Sequence, residues 1–128
     1  MYAENILDHY KSPRNYGKLK NPTVTYKDSN PLCGDEVVIQ VELTDNKIAD
    51  IAFSGRGCAI SQASTSMLTE AVKGKSIDEL KKLDQDYIVS ILGISIGPTR
   101  MKCALLGLRT LQKGVWGVNV PGVARLHE

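Results

Sequence analysis

Val37-Val38-Ile39-Gln40-Val41-Glu42-Leu43-Thr44-Asp45-Asn46-Lys47-Ile48-Ala49-Asp50-Ile51-Ala52-Phe53 holds two alternating runs broken by a polar tetrad. In the first run Val37, Ile39, Val41 and Leu43 alternate with Val38, Gln40 and Glu42. Successive strand residues point to opposite faces, so this is the pattern of a strand with one face on a core. Thr44 to Lys47 reads as a hairpin turn. Ala49, Ile51 and Phe53 then alternate with Asp50, Ala52 and Ser54, a second strand. Upstream, Val24 and Tyr26 alternate with Thr23, Thr25 and Lys27, a third. Short connections between consecutive strands predict an antiparallel sheet of three strands with one buried face.

Past Phe53 the period changes. Ile60, Ala63, Met67, Leu68, Ala71 and Val72 follow helical spacing, and Gly74 ends the run. Ser76 and Glu79 form a capping-box pattern for a short helix through Leu83. Asp84 reads as the cap of another helix, closed by Gly93. Pro98 suits the first turn of a last helix, whose apolar stripe is Met101, Ala104, Leu105, Leu108 and Leu111. Before the strands, Tyr2, Ile6, Leu7 and Tyr10 suggest a short amphipathic helix ending before Pro13. Strands first and helices after predicts an α+β domain, with the helices packed on one sheet face. Residues 114–128, with Gly117, Pro121 and Gly122, show no clear period and are expected to be loosely structured.

The 128 residues predict a single domain with a real core. A net charge of +2 is too small to argue for nucleic acid. The longest apolar run, Tyr87 to Ile94, is too short to span a membrane. With no signal-peptide pattern at the N-terminus, the expected location is cytoplasmic. There thiols stay reduced, and three cysteines cannot pair off, so metal or catalytic use outweighs a disulfide framework.

Cys33 sits in the tight loop Asn30-Pro31-Leu32-Cys33-Gly34-Asp35, where Gly34 can adopt conformations closed to other residues. The loop can turn the Cys33 thiol and the Asp35 carboxylate toward one point. It joins the first strand to the second, and Cys58 follows the third, so the two segments can meet at one end of the sheet. Cys58 stands where a helix begins, behind Gly55-Arg56-Gly57. A helix N-terminus and the Arg56 cation both stabilise negative charge, which suits a metal-binding sulfur. On the last helix, Cys103 falls about 140° from the stripe centre, on the side of Gly107 and Thr110. Cys58 lies similarly off the stripe of its own helix. A buried cysteine is often only a small packing residue, but a turn and two off-stripe positions argue against that for all three. Cys33, Asp35, Cys58 and Cys103 are therefore the candidate ligands. They could hold a zinc ion tetrahedrally or a two-iron cluster, and ligand type alone does not separate these. The Gly-X-Gly lacks the further residues of a phosphate loop. His9 and His127 read as surface or capping histidines, and the cluster Lys11, Arg14, Lys18 and Lys20 as a solvated basic face.

At these residues the chain resembles the U-type iron–sulfur cluster scaffolds, IscU and the N-terminal domain of NifU. Ile6-Leu7-Asp8-His9-Tyr10 with Ser12-Pro13-Arg14-Asn15 looks like the family's opening helix and turn. Asn30 to Asp35 looks like its first ligand loop, Gly55 to Ser61 with Ala63-Ser64 its second, and Arg100-Met101-Lys102-Cys103 its third. The resemblance spans Tyr2 to about Lys113. It implies a SufE/NifU-like α+β fold and a scaffold domain over residues 1–128. It also implies transient assembly of a [2Fe–2S] cluster from an iron donor and a cysteine desulfurase, with delivery to apo-proteins. The chain would be a carrier rather than an enzyme, with no membrane or nucleic-acid partner, and a homodimer could bridge the cluster. Many IscU members have His before the third cysteine where this chain has Lys102, which makes Asp35 the better non-thiolate ligand. The SufU branch also has Lys there but usually carries an insertion between the second and third cysteines, which this chain lacks. Some of that branch are zinc-dependent sulfur acceptors, which keeps a zinc-dependent sulfurtransferase as the alternative. Lys102 and Arg56 are positioned to modulate the site's charge. The family's chaperone-recognition segment aligns with Ile96-Gly97-Pro98-Thr99-Arg100, where only Pro98 is identical.

Overall fold

The computed structural model describes residues 4–30 and 34–118. Eight elements follow in chain order: α1 (Glu4–Lys11), β1 (Val24–Asn30), β2 (Asp35–Thr44), β3 (Lys47–Arg56), α2 (Ala59–Val72), α3 (Ile77–Lys81), α4 (Gln85–Leu92) and α5 (Pro98–Val118). The strands form one antiparallel sheet in the order β1-β2-β3. Val37, Ile39 and Val41 of β2 and Ile51 and Phe53 of β3 share the buried face. α5 packs on β1 and β2, α2 packs on β3, and α1 packs on α2. The opposite face is partly covered by the segment before β1, where the Leu19 N–H donates to Gln40 Oε1 at 2.7 Å.

The hairpin turn is as its composition demands. Asp45 and Asn46 both take the left-handed conformation, with φ of 54° and 61°. Two such residues make the turn whose twist matches antiparallel strands, and Asp and Asn tolerate that region best after glycine. One feature of β3 departs from the expected alternation. Ala49 is exposed, and Ile48 is buried in its place. The pairing passes from Glu42↔Asp50 to Leu43↔Ile48, so Ala49 has no partner and bulges. The bulge restores phase, which lets Ile48 and Ile51 face the same core despite their odd spacing.

The helix caps are those expected. Ser76 and Glu79 make a reciprocal capping box on α3, which ends at Lys81 rather than Leu83. Asp84 accepts from the Tyr87 N–H on α4, and Gly93 closes that helix at φ 73°. In α1 only Ile6 is buried. Leu7 and Tyr10 are exposed, because one turn of contact with α2 uses only part of the helix surface. Residues 114–118 are helical, which corrects the expectation of a loose segment from Gly114. Gly114 is there for space, since a Cβ would lie 3.2 Å from that of Tyr26 on β1. Tyr2, Cys33, His127 and the tail from residue 119 lie outside the described residues.

α1 and the turn after it are fastened by polar groups. Ser66 Oγ on α2 accepts from the Arg14 N–H at 2.8 Å and lies 2.7 Å from His9 Nδ1. Nε2 lies 3.5 Å from Glu70, and an imidazole that carries its proton on Nε2 presents Nδ1 as an acceptor for the Ser66 hydroxyl. Asn15 Nδ2 donates to Thr69 Oγ1 at 3.0 Å. The same turn runs along the edge of β3. Phe53 N–H donates to the Asn15 carbonyl, Gly17 N–H to the Phe53 carbonyl, and the Tyr16 hydroxyl to the Gly55 carbonyl.

Candidate metal centre

β2 begins at Asp35 and β3 ends at Arg56, and Glu36 pairs with Arg56, so the two strands present the same end of the sheet. The Gly34 N–H donates to the Asn30 carbonyl at 2.9 Å, and Gly34 takes φ 75°. That conformation is easy for glycine and costly for other residues. It delivers Asp35 to the strand end with its side chain turned inward, only 2% exposed. Cys58 is the N-cap of α2, with extended φ and ψ and no cap from its own side chain. The cap comes instead from across the chain. Asp35 Oδ1 accepts the Cys58 N–H at 3.1 Å, and the Cys58 thiol donates to Oδ2 at 3.9 Å. One carboxylate oxygen thus serves the helix, and the other faces sulfur.

Cys103 lies in the second turn of α5 and is 4% exposed. Asp35, Cys58 and Cys103 each present a ligand atom, and these atoms all lie within 4.8 Å of one another. The structure therefore brings together three of the four candidate ligands, from three separate segments. The fourth, Cys33, lies outside the described residues. A carboxylate and two sulfurs at this spacing fit a single metal ion or the edge of a small iron–sulfur cluster.

The helical-wheel reasoning about Cys103 needs correction. Its side of α5 is buried too, because α2 and the sheet both pack against it. Cys103, Gly107, Thr110 and Gly114 share one inward side, which meets Thr65 of α2 through Gly107 and Tyr26 of β1 through Gly114, and Ala104, Leu108 and Leu111 beside them are buried too. The exposed strip is marked by Lys102, Arg109 and Lys113. Likewise Cys58, at the start of α2, is half-buried and packs against the core. Burial alone would have allowed a packing role for both cysteines. Their convergence on a buried carboxylate is what distinguishes them.

The two expected charge modulators lie at the surface. Lys102 is exposed. The Arg56 side chain is 79% exposed and pairs with Glu36 at 3.4 Å, so solvent screens most of its field. The first turns of α2 and α5 contain no acidic residue of their own, so at α2 it is the Asp35 carboxylate, bonded to the Cys58 N–H, that faces the positive end of the helix dipole. His9 lies among α1 and α2, where burial and the Arg14 cation lower its pKa below the ordinary histidine value.

Two features escaped the sequence reading. Gly57, given no role there beyond its place in the second ligand loop, touches the Asp35 carboxylate. Gly107 lies so close to Thr65 that a Cβ would collide with it, and this contact fixes the separation of α2 and α5. A glycine directly before a candidate ligand and one a turn after another were the available signals.

Comparison with known proteins points to one family. A profile of the NifU-like N-terminal domain matches residues 1–119. The chain is 38% identical to the zinc-dependent sulfurtransferase SufU of Bacillus subtilis, over 90% of this chain and 89% of that one. It is 36% identical to an iron–sulfur cluster assembly scaffold protein IscU of Archaeoglobus fulgidus, over 90% of this chain and 74% of that one. Among solved structures, the SufU of Fervidobacterium islandicum AW-1, a proposed cluster assembly scaffold for its SUF system, superposes with a TM-score of 0.78. It shares 33% identity over 89% of this chain and 96% of that one. With its three-stranded sheet, its helices on one face and its buried carboxylate between two cysteines, this chain belongs to the NifU-like N-terminal domain family.

Proposed function

We propose that this protein is a scaffold on which a [2Fe–2S] cluster is assembled and from which it is passed to apo-proteins. The observation that carries the reading is the meeting of Asp35, Cys58 and Cys103 within 4.8 Å at one end of the sheet. Cys33, two residues from Asp35 in the chain, completes the ligand set. The cluster is cargo, so the site must both hold and release it. Thiolates hold iron of a cluster well, and a carboxylate is the less committed ligand. Asp35 offers one oxygen, since the other is engaged by Cys58 N–H. Asp35 is thus the ligand whose departure opens the site. All four ligands are anionic, and the acid-free N-termini of α2 and α5 offset part of that charge. Sulfur comes from a cysteine desulfurase as a persulfide on one of the thiolates, an electron donor supplies the two electrons that release each outer sulfur as sulfide and regenerate the thiolate, and iron comes from a donor. Turnover belongs to that complex.

A second reading is favoured by the likeness to the zinc-dependent SufU. In it the same four residues hold zinc, which keeps the thiolates ready for sulfur exchange. Both readings are tested on anaerobically purified protein by iron, acid-labile sulfide and zinc analysis with the visible spectrum. The measurement is repeated after incubation with cysteine, a desulfurase and ferrous iron. Near-equal iron and sulfide, lost in each Cys→Ser variant, supports the scaffold. Stoichiometric zinc that iron cannot replace, with sulfur still accepted, supports the sulfurtransferase.

A further inference from the structure

Gly57 does not owe its identity to backbone conformation. Gly55, two residues earlier, has φ 130° and lies against the Glu36 carbonyl, so its own backbone excludes a side chain. Gly57 has no positive φ, and any residue could follow its backbone path. What excludes a side chain is the Asp35 carboxylate. A Cβ on Gly57 would lie 2.8 Å from Asp35 Oδ1, 2.9 Å from Asp35 Cγ and 3.1 Å from Ser61 Oγ. The first two distances are shorter than real carbon contacts allow.

The carboxylate cannot yield freely. It is 2% exposed, and Oδ1 is held by the N–H of Cys58, the residue after Gly57. Moving Oδ1 from 2.8 Å to an ordinary contact of 3.4 Å needs about 0.6 Å. A shift of that size exceeds the slack left in the 3.1 Å bond to Cys58 for any movement that carries Oδ1 away from the N–H. The same movement rotates Oδ2, the oxygen that faces the Cys58 sulfur.

We propose that Gly57 is the positioning residue of this site: its missing side chain is the seat of Asp35. The seat holds one carboxylate oxygen on the α2 N-terminus and leaves a single oxygen for the metal. The proposal rests on the reading of the site as a metal centre, and it adds a residue with no ligand atom to the machinery. It also explains why the Gly-X-Gly resembles a phosphate loop without being one.

The test is a double-mutant cycle of Gly57→Ala and Asp35→Ala in the full chain. Metal-free thermal unfolding is one readout, and anaerobic titration with cobalt(II) is the other. Thiolate-to-cobalt charge-transfer bands report the sulfurs, and the d–d envelope reports the coordination geometry. Gly57→Ala should lower the melting temperature, keep the charge-transfer bands, alter the d–d envelope and weaken cobalt binding about 10–100-fold, as loss of a supporting contact does. With Asp35→Ala already present, Gly57→Ala should have a much smaller effect on melting temperature and affinity, because the colliding carboxylate is gone and only the tight contact with Ser61 remains. The contact with Ser61 is common to both arms and cancels. Equal effects of Gly57→Ala with and without the carboxylate would overturn the proposal. If Gly57→Ala alone fails to fold, a folded double variant supports the seat and an unfolded one overturns it. If the wild-type chain shows no thiolate–cobalt bands, the metal reading falls, while the melting cycle still decides whether Gly57 seats Asp35.

Discussion

Ser66→Ala tests how α1 and its following turn are held. The Ser66 hydroxyl is fully buried and serves two partners at once, the Arg14 N–H at 2.8 Å and His9 Nδ1 at 2.7 Å. Removing it deletes two hydrogen bonds worth about 0.5–1.5 kcal/mol each, and leaves the partly buried Arg14 N–H without this acceptor. Alanine returns about 0.5 kcal/mol through helix propensity. The net loss is about 2 kcal/mol. For a chain of this length that lowers the melting temperature by roughly 6–10 °C. The loss should be local in origin. The turn of Asn15 to Gly17 is bonded to Phe53 and Gly55 on β3, three residues short of Cys58, so loosening it weakens the strand end that leads into the site. Urea unfolding at neutral pH gives the stability, and amide hydrogen exchange gives the location. The expected result is lost protection at Arg14 and Phe53 with α3 and α4 unchanged. A variant within 0.5 kcal/mol of the parent, or a loss spread evenly over all helices, refutes the reasoning.

The other predictions concern pH, the ligand set and helix spacing. Burial and Arg14 depress the His9 pKa, so the unfolded chain binds more protons below the ordinary histidine value of about 6.5. Stability from this residue is complete above that pH and falls as the pH drops below it. His9→Gln should flatten the dependence of melting temperature between pH 7.5 and 5.5, and an unchanged slope would assign it to other groups. Asp35→Ala should slow cluster loss to an apo-acceptor, followed by the visible spectrum; unchanged or faster transfer removes the proposed role. Gly107→Ala drives a methyl into Thr65, and overpacking of this kind costs about 1–3 kcal/mol against about 1 kcal/mol gained in helix propensity. It should spread α2 from α5 and weaken zinc binding measured by chelator competition. Equal zinc affinity would show that the helices can part without moving the sulfurs.

The sheet was legible because half-burial imprints itself on sequence with a period of two, as Val37, Ile39 and Val41 show. The caps at Ser76, Asp84 and Gly93 were legible because their chemistry is local. Three things were not. The bulge at Ala49 depends on pairing with β2, which no single strand reveals. The burial of Cys103 depends on α2 and the sheet packing against its side of α5, and a wheel drawn for one helix contains no neighbour. The closeness of Gly57 to Asp35 joins residues 22 positions apart, and glycine reports only that a side chain is missing, never what fills the space. The ligand candidates could be read despite this, because thiols and a carboxylate in turns and at helix starts are conspicuous. Their mutual distances required the fold.

The unpaired Ala49 bears on how this chain tolerates changes in length. Delete it, and Ile48, Ile51 and Phe53 fall into strict alternation, with Asp50 and Ala52 between them. The core would meet the same side chains, and Leu43 would still oppose Ile48. β3 thus carries one residue more than its pleat requires, in a place where the ladder closes equally well without it. A one-residue deletion that would turn most strands inside out is here absorbed without exchanging faces. What would change is the local twist that the bulge adds to the β2–β3 ribbon. The hairpin end can therefore gain or lose a residue over evolutionary time while the opposite end of the sheet, where Asp35 and Cys58 meet, keeps its register.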